Sequence, residues 1–254
     1  MAIIIDYSFL FFKKRDVFLS EFPYNVDSKF DVVTFNFCKN KINFPGYKCI
    51  ETLTSTIDLN QELEEIWNKM NRKLRQKIKK ATKENIIWKI NGNFNEFYTI
   101  SNDFVKQKNY ASRIGGFFNL ELPNVKIMKK YGTLFTAELN GEILGGHLYL
   151  EDDENILAWI STSKRLAVNS ETSKLINYAN CLLHWQAINY AKEKSIKTFN
   201  WGGLWSTKEA LDPKKNSINT YKLSYGGQIE TSYSYKKINN RLYEKLSDMY
   251  NKFE

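Results

Sequence analysis

Over the first 57 residues the apolar positions gather in short runs broken by turn formers. Ile3 to Phe12, Asp31 to Phe37 and Lys48 to Leu53 carry many β-branched and aromatic side chains, with Pro23, Asn25, Asp27, Pro45 and Gly46 between them. That pattern predicts a small β-rich unit. From residue 58 the period lengthens: Asp58 is a candidate N-cap, and Leu59, Leu63, Ile66, Trp67, Met70, Leu74, Ile78 and Ala81 recur at helical spacing. One long amphipathic helix over 59–84 is expected there.

Further along, Ile86 to Ile90 reads as a strand, about Phe94 to Lys108 as a helix, and a loop follows with Tyr110, Arg113, Gly115 and Gly116. Thr133 to Leu139 and Ile143 to Leu150 flank Asn140-Gly141, a strong hairpin signal, and Ile156 to Ser161 follows the acidic turn Asp152-Asp153-Glu154. These three predict an antiparallel meander. A helix from about Glu171 to Lys194 leads into a strand at Lys197 to Trp201 that ends in Gly202-Gly203. Thr220 to Tyr225 and Gln228 to Tyr235 read as a last hairpin turning at Gly226-Gly227, and Asn239 to Phe253 as a closing helix. The expected organisation is a β-rich unit at 1–57, the remnant of a first domain, and a larger α/β domain at 58–254.

The 254 residues, 43% hydrophobic and 15% aromatic, suffice for a globular core. No apolar run reaches the roughly 18 residues of a bilayer span. Met1 to Leu10 is apolar but carries Asp6, with no basic stretch before it and no small-residue cleavage site, so the chain is expected in the cytoplasm. Cys38, Cys49 and Cys181 form no Cys-x-x-Cys pair and none sits near a histidine at ligand spacing, which disfavours a disulfide framework or a metal site. The net charge of +9 suggests a phosphate-bearing partner, although a Lys- and Asn-rich composition also arises from AT-rich coding.

The charge is densest at Lys69, Arg72, Lys73, Arg75, Lys77, Lys79, Lys80 and Lys83, with no acid among them. A solvated face is one explanation. Helices usually intersperse glutamate to relieve like-charge repulsion, however, so an anionic partner met by Lys73, Lys77 and Lys80 is the other. Phe199-Asn-Trp-Gly-Gly-Leu204 and Tyr221-Lys-Leu-Ser-Tyr-Gly-Gly227 each end in a glycine pair. Glycines there are either simple turns or points where a ligand approaches the backbone without Cβ interference, with Lys222 as a nearby cation. His147 and His184 lie within an apolar strand and an apolar helix, where a core role is commoner than catalysis. Cys181 reads as packing.

The order of these segments resembles the Fem-type branch of the Gcn5-related acyltransferase superfamily. The resemblance covers about residues 55 to 235 and runs through the basic helix, Gly145-Gly-His-Leu-Tyr-Leu150, Asn180 to Lys192, Phe199-Asn-Trp-Gly-Gly203 and Tyr221-Lys-Leu-Ser-Tyr-Gly-Gly227. Enzymes of that branch transfer amino acids from aminoacyl-tRNA onto peptidoglycan precursors, and close relatives are acyl-CoA acetyltransferases. The resemblance implies a mixed, largely antiparallel sheet flanked by helices. It also implies that Lys222 stabilises charge at the reacting centre and that Arg113, with Phe117 four residues on, meets acceptor phosphates. Asn200 stands where the family has Asp.

The family's glycine-bearing pyrophosphate loop is missing from 160–173, which reads either as a solvated loop before an N-cap or as a place where Lys164, Arg165 and the hydroxyls of Ser170 and Thr172 hold a phosphate instead. The expected function is transfer of an acyl or aminoacyl group to an amine of a cell-envelope or small-molecule acceptor, with aminoacyl-tRNA or acyl-CoA as donor. Lys222 is the expected catalytic residue. Arg113, Trp201, Gly202, Gly203, Tyr221, Gly226, Lys164 and Arg165 are the expected binding residues, with no resident metal or cofactor and peripheral contact at the inner membrane surface. The alternative is a non-catalytic basic protein that binds RNA or anionic membranes on the same fold.

Overall fold

A computed structural model describes residues 2–9, 11–108, 122–207 and 209–251. The described residues form two compact units, one drawn from 1–54 and 230–254, the other from 55–108 and 122–229.

In the first unit β1 (Ile3–Phe9) and β2 (Phe12–Phe18) pair antiparallel from Ile3↔Phe18 to Phe9↔Phe12. The run expected as one strand to Phe12 is therefore the start of a hairpin. β2 pairs parallel with β3 (Val32–Cys38), and β3 antiparallel with β10 (Gln228–Ile238), in the order β1-β2-β3-β10-β4, where β4 is Lys48–Asp58. Val17, Phe30, Val33, Phe35, Cys38 and Tyr235 make its core. Phe12 and Val32 pack a second cluster with Tyr243 of α7 (Arg241–Asn251).

The second unit has the strand order β4-β9-β8-β7-β6-β5, with β5 Ile87–Ile90, β6 Gly132–Leu139, β7 Glu142–Glu151, β8 Asn155–Ser163 and β9 Thr198–Leu204. The β6–β7–β8 meander stands as expected. Asn140 and Gly141 both take positive φ, 51° and 83°, as the tight hairpin turn requires. Alternation along the strands sorts the core. Phe135, Tyr149, Ile156, Phe199 and Trp201 pack with α1 (Leu63–Lys69), α2 (Arg72–Lys83) and α5 (Ser170–Glu193). Leu134 and Leu148 pack with α3 (Phe94–Lys108) and α4 (Val125–Tyr131). The result is a mixed, mostly antiparallel sheet with helices on its faces.

Two further elements differ from the expectation. The helix expected over 59–84 is broken, because Met70 takes extended backbone and Asn71 restarts the helix as an N-cap, its Oδ1 accepting from the Lys73 N–H at 2.9 Å. Thr220 to Tyr225 is not a strand. Asp212 caps α6 (Pro213–Leu223) by accepting from the Lys214 N–H at 2.8 Å, and Pro213 fills the first helical position, so Lys222 lies in a last helical turn. Among the described residues no helix is long and apolar enough to cross a membrane.

Candidate active site

β8 and β9 run parallel, but the ladder between them spans only Asn155–Leu157 against Thr198–Asn200. Beyond it β8 continues to Ser163 and β9 to Leu204, so the strands part and leave β9 backbone groups for other partners. One such group is the Gly203 carbonyl, which accepts from Lys222 Nζ at 2.7 Å.

Helical and strand periodicity gather the neighbours. His147 and Tyr149, two apart on β7, share a face; Cys181 and His184 on α5, and Tyr221 and Tyr225 at four-residue spacing, meet them. The Tyr149 hydroxyl lies 2.6 Å from His184 Nδ1 and 3.4 Å from His147 Nδ1. The two imidazoles stack with centroids 3.8 Å apart, and Trp201 lies 4.5 Å from His184 and 4.4 Å from Tyr225. The Tyr221 and Tyr225 hydroxyls are 3.1 Å apart, and Tyr225 donates to the Cys181 carbonyl at 3.4 Å.

Burial sets the charge state. It lowers His147 to about 3 against an opposing hydrogen bond from Asn180, and it lowers His184 well below the usual histidine value, helped by His147 and Lys222 nearby. Burial also raises Tyr149, Tyr221 and Tyr225, so every ring is neutral at pH 7. Lys222, pushed down to about 8 by burial, stays mainly cationic there. The cluster is thus a polar, uncharged floor with one ammonium. Two donors keep capacity among the described residues: Trp201 Nε1–H is buried without a hydrogen-bond partner, and Lys222 has one acceptor for three N–H groups.

The glycine pairs divide. Gly202 has φ +70° within β9, and its N–H donates to Asn200 Oδ1 at 2.7 Å, so the amide oxygen supplies the acceptor without the charge an Asp would bring. Gly226 has φ +81°, and a Cβ there would stand 2.8 Å from Lys69 Cβ and 2.9 Å from the Lys69 carbonyl oxygen. The chain's own α1–α2 junction fills the space beside Gly226. The Asn71 N–H also donates to the Ser224 carbonyl at 2.8 Å, which ties the start of the basic helix to the chain two residues past Lys222.

Lys222, Tyr221, Trp201 and Gly203 are therefore brought together, with Gly202 beside them. Lys164 lies apart on a 3-10 turn, Lys164–Leu166, its ammonium 3.6 Å from Glu96 on α3, and Arg165 is exposed next to it. Arg113 and Phe117 lie outside the described residues. On α2, Lys73 is exposed, Lys77 is close enough to Cys181 to oppose the rise of its thiol pKa, and Lys80 Nζ lies 5.7 Å from the Tyr178 ring. Sequence reasoning missed the joining of Tyr149, His184 and Tyr225. The four-residue step from Tyr221 to Tyr225 is informative only once that segment is known to be helical.

Solved structures share this fold. The chain superposes on FemX with a TM-score of 0.60 at 12% identity, covering 96% of this chain and 86% of that one. For the C-terminal DUF2156 domain from Agrobacterium fabrum, described as part of a lysylphosphatidylglycerol synthetase, the TM-score is 0.59 at 11% identity, over 94% and 81%. For L-PGS from Bacillus licheniformis it is 0.55 at 14%, over 98% and 86%. No family model and no curated protein matches the sequence. The chain therefore shares the fold of FemX and of these two lysylphosphatidylglycerol synthetase structures.

Proposed function

We propose that this chain is an acyltransferase that moves an acyl or aminoacyl group from a phosphate-bearing donor, aminoacyl-tRNA or acyl-CoA, to an amine of a cell-envelope precursor or small molecule. The observation that carries the reading is the part-buried Lys222 ammonium, cationic at neutral pH and bonded to Gly203 where β8 and β9 part. The name of one similar structure, a lysylphosphatidylglycerol synthetase domain, favours an aminoacyl group and a lipid-linked acceptor, and the proposed place of action is the cytoplasm, at the inner membrane surface.

In the reaction the acceptor nitrogen attacks the donor carbonyl carbon. A C–N bond forms, the ester C–O or thioester C–S bond breaks, the amine gives up one proton, and the leaving oxygen or sulfur takes one. Negative charge grows on the carbonyl oxygen in the transition state, where the two uncommitted N–H groups of Lys222 stabilise it. Trp201, Gly202, Gly203 and Tyr221 shape the surroundings of that oxygen and orient the donor, whereas Gly226 serves the turn that packs on Lys69. Arg113, Lys164 and Arg165 are the proposed phosphate contacts of donor or acceptor, and Lys73, Lys77 and Lys80 add a basic approach along α2.

The unpaired cations of α2 also suit the other reading, a non-catalytic binder of RNA or anionic membrane. Incubation of the purified protein with labelled aminoacyl-tRNA or acyl-CoA and a panel of amines separates the two. Label appearing in an amide supports transfer; salt-sensitive association with no amide from either donor supports the binder.

A further inference from the structure

On the outer side of α2, Trp67, Arg72, Arg75, Gln76 and Lys79 line an open depression of about 270 Å³. Arg72, Arg75, Gln76 and Lys79 follow at steps of three, one and three residues, which sets them in one stripe along the helix. Trp67, at the end of α1, is half-exposed and backed by Trp185 of α5, with ring centroids 4.9 Å apart. Lys79 Nζ lies 6.0 Å from the Trp67 ring centroid, and Arg75 Nη1 donates to Asn68 Oδ1 at 3.2 Å, which steadies the guanidinium.

The charge here is dense and of one sign. Elsewhere several cations have acidic partners: Arg15 with Asp6 at 2.6 Å, Lys89 with Glu138 at 2.6 Å, Lys194 with Glu151 at 3.0 Å and Lys197 with Glu154 at 2.8 Å. Among the described residues no acid pairs with any cation of α2. Like charges at this spacing repel and weaken the helix unless an anion sits among them.

We infer that this depression is a nucleotide seat, in which a flat base lies against Trp67 and a phosphate is gripped by the Arg72 and Arg75 guanidinium groups with Lys79 beside them. Guanidinium forks match phosphate oxygens in pairs, and an indole face offers stacking that does not depend on which base is present. A lipid surface fits less well. The large apolar residues of α2, Leu74 and Ile78, are buried, which leaves that helix no apolar side chain to insert between acyl chains. Asn71, next to Arg72, is bonded to Ser224, so the seat and the Lys222 cluster belong to one connected piece of structure.

The inference deepens the acyl-transfer reading by assigning the donor's nucleotide a seat. It rests on that reading only for the word donor. The nucleotide belongs either to an RNA strand or to coenzyme A, which share ring and phosphate. Tryptophan fluorescence of the intact protein, titrated with an adenine RNA oligomer of about ten nucleotides, with coenzyme A, and with phosphatidylglycerol vesicles, tests it at about 50 and 200 mM salt.

One nucleotide probe should quench the wild type. Arg72→Ala with Arg75→Ala should weaken it at least about tenfold, Trp67→Leu should remove most of the quenching, and Lys126→Ala with Lys129→Ala on α4 should change affinity less than about twofold. Tighter RNA binding identifies a strand as the source and tighter coenzyme A binding the coenzyme. Equal losses in the α4 control, no loss at Arg72 and Arg75, or binding to vesicles alone overturns the seat. Amide formation unaffected by the arginine changes overturns the seat and leaves transfer standing; nucleotide binding through these arginines without transfer does the reverse.

Discussion

Lys222 is held at a cost. Its pKa falls from 10.5 to about 8, so below pH 8 the folded chain carries an ammonium in surroundings that disfavour it. Between about 8 and 10.5 the unfolded chain binds more protons at this site than the folded chain, and stability therefore rises with pH across that window. Lys222→Met keeps the apolar stem and removes the charge. In thermal melts at pH 7 it should hold or raise the midpoint and lose the rise between pH 8 and 10; a fall of more than about 5 °C would mean that the ammonium serves the fold. The histidines act at the other end of the scale. His147, lowered from 6.5 to about 3, stays neutral in the folded chain while its unfolded counterpart protonates below 6.5, so stability drops as pH falls from about 6.5 towards 3, by up to about 1.4 kcal/mol per pH unit. Urea titrations at pH 6.5 and 4.5 should show a shallower acid loss in His147→Gln than in the wild type, and an equal slope would place that proton elsewhere. The aromatic-Lys-x-x-aromatic-Gly run singles out Lys222 in the sequence but not the helix that carries it or its bond to the Gly203 carbonyl. The histidines were not legible, since nothing in Gly-Gly-His-Leu-Tyr or Leu-Leu-His-Trp records that the two rings stack 3.8 Å apart.

At the scale of elements, the Asn140-Gly141 hairpin and its meander were legible because the signal and the contact are both local. Thr220 to Tyr225 misleads because Thr, Tyr and Leu alternate with polar residues as a half-buried strand would. The deciding signal, Asp212-Pro213, lies seven residues upstream of Thr220 and is a helix start. In the same way Asn71 within Lys-Met-Asn-Arg-Lys is a cap hidden in an otherwise continuous helical period. Asn71→Ala removes the acceptor for the Lys73 N–H and should cost about 0.5–2 kcal/mol in urea unfolding, whereas an intact α1–α2 helix would gain from the change. Gly226→Ala sets a methyl against the Lys69 carbonyl at positive φ, and a loss of at least about 1–2 kcal/mol is expected. A neutral Gly226→Ala would show that the α1–α2 junction does not press on that turn.

Over the whole molecule, legibility falls with sequence separation. The helix-to-strand run from α5 into β9 could be read along the chain. The pairing of Tyr235 with Phe35, which draws 230–254 into the first unit, joins positions about 200 residues apart and leaves no periodic trace. The candidate site follows the same rule, because the Lys222 cluster draws on β7, α5, β9 and α6. The central claim is that this cluster speeds acyl transfer through the Lys222 ammonium, and the most direct test is the rate of amide formation from labelled donor between pH 6 and 10 for the wild type, Lys222→Ala and Lys222→Arg. The account predicts a wild-type rate that declines as pH rises through about 8, a roughly 10- to 1000-fold loss of kcat in Lys222→Ala, and partial recovery in Lys222→Arg, whose charge persists to higher pH but sits elsewhere. No amide from either donor, or an alanine variant within about threefold of the wild type with the same decline near pH 8, would contradict it.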